Sequence, residues 1–257
     1  MSTDAATQSA PDPRKQALSF GQAADLYDSI RPTYPAEALR WQIGDAEKDV
    51  LDIGAGTGLL TRVLIGLGHR VTAVEPDDQM RAKLTASSPG LTAALAGSAE
   101  ALPVPDAGAG AITAGQSFHW FDRPRALPEL RRALRPDGIL APIWNIRDES
   151  VPWVRALTEA IGSSPGEIDG LGATEPGYFG PDFGEAEHRC FHHEMPLDRP
   201  RLIRLVQSRS YYLTADDAGR RRIVAAVDDV IDSHPELAGS EAFAMPYKTY
   251  AFRVRPA

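Results

Sequence analysis

The stretch Val50-Leu51-Asp52-Ile53-Gly54-Ala55-Gly56-Thr57-Gly58 constrains this chain more than any other. Val50 to Ile53 is a short apolar run, the pattern of a buried strand, and it passes straight into three glycines spaced two apart. Behind them Leu59, Leu60, Val63, Leu64 and Leu67 recur at helical spacing. Strand, glycine turn and helix in that order form a cradle. Glycines let the backbone approach a ligand, and the first helical turn offers N–H groups with no intrahelical partner. Such a cradle suits a nucleotide-like ligand. A dinucleotide fingerprint, G-x-G-x-x-G, requires glycine at position 59, where this chain has Leu. The spacing is G-x-G-x-G instead, which argues against a nicotinamide dehydrogenase.

Val71 to Val74 reads as a second buried strand ending in Glu75-Pro76. An acidic residue at the tip of a second strand, about 20 positions past the glycines, can accept hydrogen bonds from both hydroxyls of a ribose. The alternative for Glu75 is a solvated strand end or a helix cap. Leu91 to Ala96, Ala109 to Ala114 and Ile139 to Trp144 read as strands three to five, with helical patterns around Met80/Leu84 and Leu127/Leu130/Leu134 between them. Arg135-Pro136-Asp137-Gly138 reads as the turn into strand five. Glu187 to Met195 and Met245 to Val254 read as the last two strands, separated by a long helix striped by Ile223, Val224, Val227, Val230 and Ile231 and ended by His234-Pro235. The expected fold is α/β: a doubly wound, mostly parallel, seven-stranded sheet with helices on both faces.

Four stations in order carry a resemblance: Asp52 to Gly58, Glu75-Pro76, Gly97 to Pro103, and Leu134 to Gly138. Across about residues 46–145 they resemble the motifs of class I S-adenosylmethionine (SAM)-dependent methyltransferases acting on small molecules. Ala24 to Pro35 and Gln116 to Asp122 are similar to segments of the branch that contains trans-aconitate methyltransferase. The resemblance implies an antiparallel last strand, and SAM as cofactor. It implies SAM contacts from Asp52, Gly54, Ala55, Gly56, Thr57 and Gly58, and from Glu75, Pro76 and Met80. It implies further contacts from Ser98, Ala99 and Glu100 at the adenine, and from Gln116 and Ser117 near the methionine portion. Ser98 departs from the family, where an Asp bonds the adenine amino group; a hydroxyl makes a weaker bond, or the backbone N–H groups of Ala99 and Glu100 take over.

Tyr27 and Arg31 are four apart and share a helical face. They are candidates for a lid over residues 20–45, with Arg31 on a carboxylate of SAM or of the acceptor and Tyr27 closing over the sulfonium; the alternative is a surface helix with Arg31 paired to Asp28. His119 is the candidate general base, since imidazole titrates near neutrality. Its alternative is a ring packed between Phe118 and Trp120. Beyond Asn145 the pattern changes, and residues 146–184 form an insertion expected to shape the acceptor pocket, with Trp144, Trp153, Tyr178 and Phe179 as an apolar wall; Trp153 reads equally as helix core.

The net charge of −8 disfavours a protein whose affinity rests on nucleic-acid phosphates. One cysteine excludes an internal disulfide and suits a cytoplasmic location. Residues 1–19 lack the apolar core of a secretory signal and read as a disordered leader, with residues 46–257 as the SAM-binding domain. No run suits a membrane span. His188, Cys190, His192 and His193 lie on one strand, but nothing complements them as ligands, so no metal is expected. Arg220 to Arg222 reads as a solvated helix face. The partner expected is a small-molecule methyl acceptor. Competing readings are a nucleic-acid or protein methyltransferase and a SAM-binding protein without transferase activity. Oligomeric state is not encoded in any pattern found.

Overall fold

The structure is a computed structural model and describes residues 24–257; the leader expected over 1–19 and the first part of the segment 20–45 lie outside the described residues. Helices α1 (Ala24–Ile30) and α2 (Ala36–Ile43) precede β1 (Asp49–Ile53). Then α3 (Leu59–Gly66), β2 (Arg70–Val74), α4 (Asp78–Ser87), β3 (Ala93–Leu95), β4 (Ala109–Gly115), α5 (Arg123–Ala133) and β5 (Leu134–Arg147) follow. Two helices, α6 (Pro152–Ile161) and α7 (Pro165–Gly172), lead to β6 (Glu187–Leu197). Helices α8 (Arg199–Gln207), α9 (Ser210–Leu213) and α10 (Asp217–Ser233) then connect to β7 (Phe243–Arg253).

The seven strands form one sheet in the order β3-β2-β1-β4-β5-β7-β6. Strands β1 to β5 run parallel, and β7 is antiparallel to both of its neighbours. Alternation along each strand divides the core between two faces. Leu51, Ile53, Leu140 and Trp144 pack under α5 with Leu127 and Leu130, while Val50, Ala141 and Ile143 pack with Leu39, Ile43 and Leu64 of α2 and α3. A third cluster joins α6, α8 and α10 to Met245 and Tyr247. The order of strands reverses between β1 and β4, so a crevice opens at their carboxyl ends, the place where open α/β sheets bind ligands.

Three features correct or extend the sequence expectations. Arg135 to Gly138 is not a free turn: it lies within β5, as an irregularity between the pairs Ala109–Leu134 and Ala111–Ile139. Strand β6 forms the sheet's edge, because β7 inserts between it and β5, and His188, Cys190 and His192 are consequently exposed. Among the described residues no group of three or more His, Cys, Asp or Glu side chains could hold a metal ion. Within the segment expected as a lid, α2 belongs to the core: Gln42 Nε2 donates to the carbonyls of Pro142 at 2.8 Å and Phe252 at 2.7 Å. Only α1 and the turn after it lie over the crevice.

Candidate functional site

A cavity of about 480 Å³ occupies the crevice. Its floor is the loop from Ile53 to Thr57, which the left-handed backbone at Gly54 (φ +62°) and Gly56 (φ +58°) bends away from the sheet. The three glycines serve different ends. A Cβ at Gly54 would stand 2.7 Å from Ser117 Cβ, and one at Gly58 would stand 2.6 Å from Leu84 Cδ1. Both therefore have a packing reason, and while Gly54 also lines the cavity, Gly58, expected to contact SAM, lies against Leu84 and Ser88 instead. At Gly56 a Cβ would meet nothing within 4 Å. That empty volume belongs to the cavity. Beside it Thr57 Oγ1 is buried with no hydrogen-bond partner.

Glu75 reaches back from β2 to this loop. Its Oε2 accepts the Gly56 N–H at 2.8 Å and its Oε1 accepts the Asp77 N–H at 2.9 Å. Burial pushes the carboxyl above its ordinary range, opposed by these two backbone bonds. Glu75 lines the cavity, and each carboxylate oxygen has the capacity for a further hydrogen bond. Asp52 lies deeper, fully buried, and accepts from Thr61 Oγ1 at 2.6 Å and Thr113 Oγ1 at 3.0 Å. Burial raises its pKa to about 6 against those two hydroxyls. Pro76, Met80, Ser98, Ala99 and Glu100 complete this half of the wall.

Gln116 and Ser117 line the cavity, yet their polar side chains are spent on the sheet. The Gln116 amide exchanges two hydrogen bonds with the backbone of Asn145, at 3.1 and 3.0 Å, and Ser117 Oγ donates to Ile53 O at 2.8 Å. The amide expected to meet the methionine portion of a ligand instead ties the end of β4 to β5.

The opposite end is cationic. Arg31 follows α1, its guanidinium 4.6 Å from the Tyr27 ring centroid, and Nη2 donates to Ser208 O at 2.6 Å while Nε is buried without a partner. Burial and the adjacent Arg209 push its pKa down to about 10. Asp28, its alternative partner, pairs with Arg62 at 2.6 Å. Arg209 and Ser210 reach the cavity from the α8–α9 junction, and Ser164, Pro165 and Gly166 reach it from the start of α7. The sequence reading missed Arg209. Its only signal was an arginine directly after the apolar helix Leu202-Leu205-Val206.

A methyltransferase-domain family matches residues 51–141. An uncharacterized methyltransferase of Mycobacterium tuberculosis is 40% identical over 241 residues, covering 93% of this chain and 96% of the relative. The chain belongs to the class I SAM-dependent methyltransferases. A malonyl-[acyl-carrier protein] O-methyltransferase of Methylococcus capsulatus is 31% identical over 147 residues, about half of each chain. A provisionally named type II methyltransferase from Anaeromyxobacter dehalogenans shares the fold, with a TM-score of 0.65, 23% identity and coverage of 88% of this chain and 97% of that one. SAM is the cofactor, and the cradle fits it: open space at Gly56, an unpartnered Thr57 hydroxyl and a carboxylate at the tip of β2.

The expected aromatic wall of the methyltransferase is corrected by the structure. Trp144 is fully buried under the sheet, edge-on to Phe252, and Tyr178 and Phe179 pack there around Phe118. Tyr178 also donates to Asp169 and lies under Arg123. Trp153 packs against Phe243 in the helical cluster. Large aromatic side chains gain most by full burial, which places Trp144, Trp153 and Phe179 away from the cavity, and the half-buried Tyr178 is held there by Asp169 and Arg123. Tyr27, Tyr34, His119, Trp120 and Phe121 line it instead.

His119 stands in a short turn of 3₁₀-helix, Phe118 to Trp120, after β4. Its ring centroid is 4.6 Å from that of Trp120, and a Cβ on Gly166 would stand 2.7 Å from its Cε1, so α7 begins flat against the imidazole. Phe118 points the other way, into the core. Burial, and then Arg123, push the His119 pKa down to about 3, and Nδ1 has no hydrogen-bond partner. The ring is neutral in the folded protein, whereas an unfolded chain protonates it below its ordinary 6.5. Its contribution to stability is therefore complete above pH 6.5 and is lost as pH falls toward 3. His119→Asn is expected to flatten the stability profile across that window in denaturant melts. Because a base so weak serves poorly at neutrality, kcat should fall less than about tenfold, with no limb of the pH–rate profile lost near 7. A pH-dependent fall of about 10²-fold with SAM affinity intact would make His119 the base.

Proposed function

We propose that the methyltransferase transfers the methyl group of SAM to an oxygen of a small acidic acceptor, a carboxylate. The observation that carries this reading is the charge at the Arg31 end of the cavity. Two guanidinium groups, Arg31 and Arg209, meet there, and the nearby carboxylate of Glu167 is already shared with Arg147. Such an end has room for two anions, the carboxylate of SAM and one from the acceptor. The name of the Methylococcus relative, an O-methyltransferase of a malonyl group, supports transfer to oxygen.

SAM supplies an electrophilic methyl group on a sulfonium. The chain supplies position and a site closed to water. Gly56 and Glu75 hold the loop and the ribose, and the backbone around Ser98, Ala99 and Glu100 holds the base. Tyr27 and Arg31 close over the methionine portion from α1. A carboxylate arrives already ionised, so no side chain must remove a proton. The Tyr27–Arg31 segment and Gln116 to Asp122 favour the trans-aconitate-like branch. The single cysteine suits a cytoplasmic enzyme, and among the described residues no helix is long and apolar enough to cross a membrane.

Incubation with methyl-labelled SAM and a panel of carboxylates, phenols and amines tests the reading. Label is expected in carboxylate products and should be released by mild alkali, as from a methyl ester. Stable label in phenols or amines alone would overturn it.

A further inference from the structure

Arg209 sits in the turn between α8 and α9, 4% exposed, and lines the cavity. Its backbone is fully engaged: the N–H donates to Val206 O at 3.0 Å and the carbonyl accepts from Tyr212 and Leu213. Its guanidinium has no hydrogen-bond acceptor among the described residues. Its ion-pair partner, Glu167 Oε1, lies 3.7 Å from Nη2, beyond hydrogen-bond reach. A guanidinium that lines a cavity and makes no hydrogen bond of its own offers its donor hydrogens to a ligand there. Arg31 is different, since it already donates to the Ser208 carbonyl.

Glu167 stands behind Arg209 and does not line the cavity. Its oxygens accept from Arg147 Nε at 3.0 Å and from Ser164 N–H at 2.8 Å and Oγ at 2.9 Å. One carboxylate thus joins the end of β5, the first turn of α7 that forms cavity wall, and the α8–α9 turn that carries Arg209. Though burial opposes it, the Arg209 and Arg147 guanidiniums hold the Glu167 carboxyl down to about 2. It stays ionised at any working pH. It lies 3.7 Å from Nη2 of Arg209, the residue that lines the cavity in front of it.

We propose that Arg209 docks the acidic group of the acceptor and that Glu167, without touching the ligand, is the residue that positions it. This rests on the reading of an acidic acceptor. A charge-assisted, bidentate contact of this kind contributes mainly to acceptor affinity, so its loss appears in KM rather than in SAM binding.

The test uses acetate, benzoate and succinate as acceptors with methyl-labelled SAM, and S-adenosylhomocysteine titrations of the same variants. R209M is expected to raise KM for the acid the wild type uses best by about 30-fold or more, with R209K recovering part of it. Affinity for S-adenosylhomocysteine should change far less than this KM, by under about fivefold, because Arg31 remains to hold the cofactor's carboxylate. E167Q should raise the same KM about tenfold with little change in kcat. Should E167Q fail to fold, E167D keeps the charge and should show a smaller rise in KM. If the wild type methylates an acid and R209M keeps its KM, the docking role of Arg209 is wrong while the acidic acceptor stands. If E167Q lowers kcat and cofactor affinity together, Glu167 is structural. If the wild type takes no acid but methylates phenols or amines, both the reading and this inference fall.

Discussion

Gly56→Val should yield a folded protein whose affinity for S-adenosylhomocysteine is at least about 10³-fold weaker by calorimetry, because the side chain fills space the ligand needs. A Cβ at this position meets nothing within 4 Å of protein, so the added side chain starts in open space in the ligand-free chain. The backbone there is left-handed, at φ +58°, which costs a non-glycine residue about 1–2 kcal/mol. For a chain of this size that lowers Tm by about 2–8 °C, short of unfolding. Gly54→Ala makes the useful contrast. Its Cβ would collide with Ser117 Cβ, which the bond from Ser117 Oγ to Ile53 O fixes in place, so that variant should lose stability first. Retention of wild-type affinity by Gly56→Val would show that the ligand does not lie on this loop.

The second large effect is at Glu75. Replacement by alanine removes the acceptor of both the Gly56 and Asp77 N–H groups as well as the proposed ribose contact. Losing a charged acceptor from buried donors costs about 1.5–3 kcal/mol per bond, so affinity for S-adenosylhomocysteine should fall by about 10²-fold or more. Glutamine should rescue little. Both carboxylate oxygens receive an N–H, and an amide must turn its own NH₂ toward one of these donors. If Glu75→Gln binds within threefold of wild type, the pair of backbone bonds is not what the carboxylate supplies.

The cofactor half of the site was legible because each part sits on a short local pattern. An apolar run, glycines at fixed spacing and an acid after the next strand are read within a few residues of one another. Even there the text does not say which glycine opens onto the cavity: a Cβ at Gly56 would meet empty space, whereas one at Gly58 would meet Leu84 and Ser88 at the end of another helix. The proposed acceptor half was largely illegible, since its residues come from four distant segments. Arg209 is a lone arginine in sequence; its meaning depends on Glu167 and Arg147, which only the tertiary fold brings near it. Aromatic residues after β5 invited a pocket wall, but composition does not reveal which face of a strand a ring occupies, and Trp144 and Phe179 went to the core. The edge position of β6 was hidden for the same reason, as pairing between β5 and β7 spans more than a hundred residues of chain.

That long-range pairing governs the order in which the chain can assemble. Strand β6 emerges from the ribosome before β7, yet hydrogen-bonds to β7 alone, so it has no place in the sheet during synthesis of the three helices between them. Until β7 arrives, β5 exposes its last five residues, Ile143 to Arg147, as an unpaired edge. Arg209, on the segment made in that interval, cannot yet be set against a finished cavity wall. The nascent protein should therefore gain its glycine cradle early and its acceptor end late, in a slow step dominated by non-local contacts.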